Sequence, residues 1–553
     1  MLNPDGTFTL RDRRAWPWFA LAVVALLAGV WLRLYQLRTQ TLIDDEWHAV
    51  RMLIGSDAAG IATHFGYADH CIPLTLYYRW LYDLGVLSEW QMHLPLLIAG
   101  IALMILAPFL LRGALTWPVR AVWIALLAIS PVLVYLSRTA RPYALDCLCA
   151  FIAIVAFHRW RNGGGRRWAV AYVVGTVAAA WLHVLTVVFT LWPFVWFGLP
   201  ALRNLWRRST RATGTRDVVR IIVLALATVA GLALVLAPPI LGDWRAMAAK
   251  AGAGEMTFDT LYRSALMMLG ISSVWLCIAL ALVFVIGIWR LARREPGFVA
   301  YIGSLILVGT AVVALSRPAW VQHQQTFVRY VLPIVPFVRM FVAEGIVFVM
   351  AQLRIPVLAC AGATLALIGL VAAGPMPGYY YFPNQLMGHE LFQFDFATDH
   401  NPYATRLDLG PVPAFYRDLA TRPPGSITLI ETPARLISHY LPDPWYQATH
   451  RQNVKYALAA PLCGGEADEF PSTATGTRFH RVGRLADVLD GTTLGADYLV
   501  LRLRPWSVPP GLDAPWPDMA ACESKVTQRL GAPVYSDEQI VVFALGRTQP
   551  PTH

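Results

Sequence analysis

The hydrophobic residues of this chain fall in long unbroken runs instead of alternating or recurring on one helical face. Stretches such as WFALAVVALLAGVWL (18–32) and LALIGLVAAG (365–374) have no polar side to turn toward water. A bilayer-spanning helix needs about 20 mostly apolar residues. Runs of this kind predict about eleven spans, near 15–36, 92–111, 119–136, 143–158, 168–182, 184–201, 221–240, 266–289, 298–315, 331–350 and 355–374. From hydropathy alone, 168–200 reads either as one long span or as two short ones. Charge decides between them, because Arg and Lys gather in short cytoplasmic loops. With the N-terminus inside, the inside segments hold Arg11, Arg13 and Arg14, then Arg112 and Arg120, then Arg159, Arg161, Arg166 and Arg167. Merging 168–200 would turn Arg203, Arg207, Arg208, Arg211, Arg216 and Arg220 outward, so two spans are expected.

An odd number of spans sends the two ends of the chain to opposite faces. The outward parts are then a long first loop (38–91), shorter loops near 242–265 and 316–329, and a tail, 375–553. The first apolar run follows RDRRAWP and is long enough to be kept as a span, so no cleaved signal peptide is expected. The tail has a different texture. Short β-rich runs, ITLIE (427–431), DYLVLR (497–502) and IVVFAL (540–545), alternate with helix-like stretches at 413–421, 433–440, 484–490 and 518–530. The predicted architecture is a polytopic α-helical membrane core, residues 1–374, followed by a small extracytoplasmic α/β domain, residues 375–553.

Composition agrees with the pattern. Of 553 residues, 57% are hydrophobic and 14% charged, where a soluble domain carries about 25% charged residues. The net charge of +11 raises the question of nucleic-acid binding. Only Lys250, Lys455 and Lys525 are lysines, and much of the arginine sits between apolar runs, where topology explains it, so no nucleic acid is expected. The seven cysteines show no zinc-type spacing, and no metal or cofactor is expected. Cys147, Cys149, Cys277 and Cys360 read as small core residues; Cys463 and Cys522, both in the tail, read equally as a disulfide pair or as two thiols.

Candidate chemistry gathers on the outward side. The first loop opens with TLIDDEWHAVRMLIG (41–55), a predicted helix capped by Thr41 with Asp44, Asp45 and Glu46 in its first turn. Acids suit a helix N-terminus, which explains them without function. Three carboxylates beside the membrane also offer a partly desolvated base. The same loop continues as GYADHCIPLTLYYRWLYDLG (66–85), an aromatic, amphipathic segment expected in the membrane plane, with Asp69 beside His70. SRTARPYAL (137–145) places Arg138 and Arg141 outside, against the charge rule. They fit either phosphate binding or the anchoring of helix ends. HQQTFVRYVLP (323–333) adds Arg329 and Tyr330, while His183 reads as a core or interface histidine.

IDDEWHA, ADHCIPLTLYYRWL, SRTARPYAL and RYVLPIVP, in this order and on this side, resemble the GT-C superfamily, within it the family of protein O-mannosyltransferases and the lipid A aminoarabinose transferase. The resemblance covers residues 15–350 and only loosely the tail. It implies an inverting glycosyltransferase that takes sugar from a polyprenyl-phosphate donor, while the Arg- and Ala-rich, Lys-poor composition points to a bacterial source and so to its inner membrane. The acceptor, on the extracytoplasmic side, would be lipid A, another glycolipid, a cell-envelope polysaccharide or a protein hydroxyl. The family's Asp-Glu pair maps onto Asp45 and Glu46, with Asp45 as base and Asp44 shifting the register by one. The family's acid, basic residue and Pro-Pro-Leu map onto Asp69, His70 and Pro73-Leu74, interrupted here by Cys71 and Ile72. Arg138, Arg141, Arg329 and Tyr330 match positions that would meet the donor phosphate. The rival class is a transporter or flippase for a lipid-linked sugar, which would show internal repeats that this chain lacks.

Overall fold

The apolar runs fold as helices because a chain in lipid must satisfy its backbone polar groups internally. The computed structural model describes residues 15–35, 37, 42, 44–66, 70–206, 211–250, 252–271, 273–374, 376, 412–433, 443–459, 462–464, 482–491, 495–504 and 518–546. In chain order the helices begin with α1 (Trp16–Leu34), a 3-10 turn (Asp44–Glu46), α2 (Trp47–Gly55), α3 (Ala58–Thr63) and α4 (Ile72–Asp83). They continue with α5 (Glu89–Leu110), α6 (Trp117–Ala128), α7 (Pro131–Ser137), α8 (Tyr143–Arg161), α9 (Arg166–Leu182), α10 (Val187–Trp206) and α11 (Arg211–Lys250). After these come α12 (Phe258–Leu269), α13 (Val274–Ala292), α14 (Pro296–Ser316), α15 (Gln324–Tyr330), α16 (Val335–Met350) and α17 (Pro356–Ala372).

The chain divides into two units. One holds Met1–Tyr35, Thr63–Phe65 and Pro95–Met376; the other holds Gln36–Ala62, Gly66–Leu94 and Pro377–His553. Among the described residues, eight helices are long and apolar enough to cross a membrane, and the bent pair α6 and α7 makes a ninth. The remaining expected spans correspond to α9 and α17, each 17 residues long. Two spans depart from the sequence expectation. Residues 119–136 do not form one straight helix: the chain bends by 60° between α6 and α7, where Pro131 cannot donate to the helix before it. Residues 266–269, read as the start of a span, close α12 instead, because Gly270 in the left-handed region (φ 75°) ends that helix.

The bend leaves the last carbonyls of α6 without intrahelical partners, and each is met. Ile129 N–H returns to Ala125 O. Arg339 Nη1 donates to Leu126 O at 3.1 Å, Arg33 Nη2 to Leu127 O at 3.2 Å and Arg33 Nη1 to Ala128 O at 3.2 Å. Both arginines are buried, and cations are favoured at a helix C-terminus. Arg339 Nη2 also reaches Met268 O in the last turn of α12, at 2.8 Å. Gly100 of α5 lies so close to Ser137 and Arg33 that a Cβ would collide with the Ser137 side chain. Elsewhere Gly287 of α13 and Gly345 of α16 let two helix backbones touch, the small-residue packing common in membranes.

In the other unit, the tail holds α18 (Ala414–Leu419), β1 (Thr428–Thr432), α19 (Asp443–His450), β2 (Asn453–Leu458), β3 (Val482–Arg484), α20 (Leu485–Leu489), β4 (Tyr498–Arg502), α21 (Met519–Leu530), β5 (Tyr535–Ser536) and β6 (Ile540–Ala544). The sheet order is β3-β2-β1-β4-β6-β5. The first four strands are parallel and β6 runs antiparallel to β4, with Ile430 opposite Lys455 and Leu499. Parallel strands need cover on both faces. Tyr416, Leu419 and Tyr446 of α18 and α19 pack on Leu429, Val500 and Val542; Leu485, Val488 and Val526 of α20 and α21 pack on Ile430, Leu499 and Val541. Cys463 and Cys522 are joined in a disulfide. The expected helix at 433–440 lies outside the described residues.

On the first face, Glu431 accepts hydrogen bonds from Tyr416 Oη (2.7 Å) and Arg502 Nη2 (3.3 Å). His450 stacks on Tyr416 and accepts the Gln452 N–H at Nδ1. Burial lowers its pKa to about 3.

Two outcomes follow. Arg33→Met strips donors from Leu127 and Ala128 and lowers stability by about 3 kcal/mol, read as a fall in unfolding temperature in detergent. The fold holds His450 neutral while the unfolded chain protonates it near pH 6.5, so tail stability is complete above that pH. It then falls by about 1.4 kcal/mol per pH unit toward pH 3. His450→Gln flattens this slope in denaturant titrations of the full chain.

Candidate functional site

In the helical unit, three interruptions of helix bring five side chains together. The first is the turn between α7 and α8. Thr139 Oγ1 donates to Tyr135 O, Arg141 N–H donates to Thr139 O, and Pro142 precedes the first turn of α8, which opens on Tyr143. The second is His183, extended (φ −153°, ψ 107°) between α9 and a 3-10 turn, Val184–Thr186. The third is the end of α15, where Arg329 and Tyr330 precede the Pro333-containing turn Leu332–Ile334.

Tyr143 is the common platform. The guanidinium of Arg329 lies 5.2 Å from its ring centre and that of Arg141 lies 6.0 Å from it. His183 meets the same ring edge-on at 5.9 Å, and Tyr330 stacks on His183 at 5.5 Å. Tyr330 Oη donates to Ala319 O, which fixes the stack. Both arginines are more than nine-tenths buried. Arg141, Arg329 and Tyr330 are among the candidates from the sequence; Tyr143 lies inside the SRTARPYAL motif, and His183 is the histidine expected as core or interface. Arg138 is used differently: its Nη1 donates to Leu32 O (3.0 Å) and Tyr35 O (2.6 Å), closing the end of α1.

In the other unit, the acids of the first loop do not sit in the first turn of a helix. They form the 3-10 turn Asp44–Glu46, and α2 begins at Trp47. Glu46 is fully buried, and its Oε1 is 2.8 Å from His93 Nε2. His93 Nδ1 is 2.6 Å from the Glu89 carbonyl, which only accepts, so Nδ1 carries a hydrogen. The short contact at Nε2 then needs a proton between imidazole and carboxylate. Glu46 is thereby engaged, whereas the Asp45 side chain is 20% exposed and 3.9 Å from His48 Nδ1. The Asp44 side chain and the whole of Asp69 lie outside the described residues. His70 is buried just ahead of α4, with Gly66 (φ 71°) turned against its ring. Among the described residues, no three His, Cys, Asp or Glu side chains gather as a metal site.

No protein-family profile and no curated protein matches the chain. Over 96% of its length it is similar to 98% of ArnT from Cupriavidus metallidurans, in the apo state and bound to undecaprenyl phosphate, at 14% identity and a TM-score of 0.44. It is also similar to the oligosaccharyltransferase AglB from Archaeoglobus fulgidus, in complex with an inhibitory peptide and a dolichol-phosphate. That likeness covers 88% of this chain and 69% of the other, at 13% identity and a TM-score of 0.39.

His93→Leu leaves the Glu46 carboxyl buried without its proton partner and lowers stability by about 3–5 kcal/mol. The double variant Glu46→Gln/His93→Leu recovers part of that loss in the same thermal unfolding measurement; a double-variant loss equal to the sum of the two single losses would show that the pair does not interact.

Proposed function

We propose that this protein is an inverting glycosyltransferase that moves a sugar from a polyprenyl-phosphate donor to an extracytoplasmic hydroxyl. The observation that carries the reading is the pair Arg141 and Arg329 on the Tyr143 ring, two buried cations among apolar helices, suited to the phosphate of a lipid. Asp45 accepts the acceptor's proton as its oxygen attacks the anomeric carbon. Arg141 and Arg329 take up the charge left on the phosphate, with Tyr330 and His183 shaping the pocket wall. Glu46, held by His93, supports the turn that carries Asp45. Arg138 steadies the chain ahead of Arg141. His70 and Asp69, adjacent in the same loop, belong to the donor and acceptor side of this reading.

The acceptor is lipid A, another glycolipid, an envelope polysaccharide or a protein hydroxyl. The protein sits in a bacterial inner membrane with its N-terminus in the cytoplasm, residues 1–374 as the core and 375–553 outside. The Cys463–Cys522 disulfide supports an oxidising compartment for the tail.

Purified protein supplied with radiolabelled polyprenyl-phosphate sugar releases lipid phosphate as sugar reaches an acceptor. Passage of intact donor between leaflets without cleavage would instead mean a transporter. Asp45→Asn lowers turnover about a thousandfold while donor binding persists. An active Asp45→Asn enzyme beside an inactive Asp44→Asn enzyme would move the base by one residue. Arg141→Gln and Arg329→Gln each weaken lipid-phosphate binding about tenfold or more.

A further inference from the structure

A second group of arginines lies at the other end of α8. Arg141 stands just ahead of that helix and Arg159 in its last turn; at 1.5 Å per residue its 19 residues set the two ends about 28 Å apart. Arg159 Nη2 donates to Leu110 O at 2.6 Å, closing α5, and its guanidinium lies 5.9 Å from the centre of the Trp168 ring. Arg167 approaches the same ring at 5.7 Å. Arg112, in the turn after α5, lies 4.7 Å from the centre of the Phe109 ring and near enough to Arg159 for their charges to act on each other. The turn between α8 and α9 brings Trp168 in closely, because a Cβ on Gly164 would strike its ring.

Arg112 and Arg167 are exposed, and among the described residues neither makes a hydrogen bond or an ion pair. Stacking uses the flat face of a guanidinium and leaves its N–H edge for an anion. The acid at the start of α11, Asp217, is already taken by Arg161 through two hydrogen bonds of 3.0 and 2.5 Å. Each exposed arginine also ends an apolar stripe. Ile98, Ile105 and Phe109 are exposed along one side of α5, and Arg112 follows them; Val170 and Val174 are exposed on α9, one and two turns after Arg167. The end of α13 is different. Arg293 lies on Trp289 at 4.0 Å there, but Arg294 pairs with Glu344 and Glu295 follows in the chain.

We propose that Arg112, Arg159 and Arg167, set around Phe109 and Trp168, form a binding site for an anionic glycerophospholipid. Its phosphate meets the guanidinium edges, and its acyl chains lie on the exposed stripes of α5 and α9. Sidedness alone places arginine between apolar runs, but it needs neither aromatic platforms nor a cluster left without an acid. A free anion would use the charge and the N–H edges only; a lipid uses these and the stripes that end at them. Neither arginine nor a phosphodiester changes charge near neutral pH, so salt and not pH governs the binding. The site is independent of the glycosyltransferase reading.

The test is native mass spectrometry of the purified full-length protein, with phosphatidylglycerol or phosphatidylcholine added to the same detergent, counting the lipid retained. Wild-type protein retains phosphatidylglycerol about tenfold or more tightly than phosphatidylcholine. Arg112→Gln and Arg167→Gln each weaken phosphatidylglycerol binding about fivefold, and Arg293→Gln changes it less than about twofold. Phosphatidylcholine binding is the same in all of them. The three side chains are exposed, so the variants fold, which unchanged unfolding temperatures in detergent without lipid confirm. Equal losses in Arg112→Gln and Arg293→Gln, the mark of diffuse charge, overturn the proposal. So does a wild-type protein that shows no preference for phosphatidylglycerol, or one from which inorganic phosphate at the lipid's own concentration displaces it.

Discussion

A helix that ends inside an apolar bundle leaves carbonyl groups with no water to receive them, and this constraint shapes the whole membrane unit. The chain meets it with arginine. Arg33 and Arg339 close α6, Arg339 also closes α12, Arg138 closes α1 and Arg159 closes α5 at Leu110 O. A guanidinium suits the task because its several donors lie in one plane and reach carbonyls on two different helices at once. The charge is tolerated because a helix C-terminus carries partial negative charge, so burial removes the cation from water but not from a favourable field.

Function follows from the same device. A bundle of unbroken helices would offer only side chains pointing from helix faces. Breaks let chain segments such as 138–142, 183–186 and 329–334 present side chains from loop-like backbone deep in the bundle. Each break is held by hydrogen bonds that involve no substrate, so Tyr143, His183 and Tyr330 are in place before anything binds. The arginines divide into two kinds by their partners. Those aimed at carbonyls hold the frame, and Arg141 and Arg329 gather on the Tyr143 ring.

Much of this was legible in the sequence because its signals are local. Long apolar runs mark helices, and the β-rich runs at 428–432, 498–502 and 540–544 mark strands. The bend after Ala128 had a local signal too, the Ser130-Pro131 pair, which an apolar run disguised. Other features depend on partners far apart in the chain. Arg33 reads as the polar end of a span until the carbonyls of residues 127 and 128 are beside it. Glu46 reads as one of three equivalent acids until His93, 47 residues away, closes on it. His183 looks like core packing because its neighbours Tyr143 and Tyr330 come from two other helices. Cys463 and Cys522 were equally consistent with free thiols, since pairing is a property of the folded tail.

The distinction between Glu46 and Asp45 shows how burial sorts identical chemistry. A carboxylate accepts a proton usefully only if it begins without one and its surroundings change little when it gains it. Glu46 meets His93 at 2.8 Å in a site with no exposure, the contact that permits its burial. Asp45, one residue earlier in the same turn, keeps contact with solvent and has the His48 imidazole at 3.9 Å, too far for a hydrogen bond. The turn therefore places two neighbouring acids in different surroundings, one sealed against an imidazole and the other in contact with solvent.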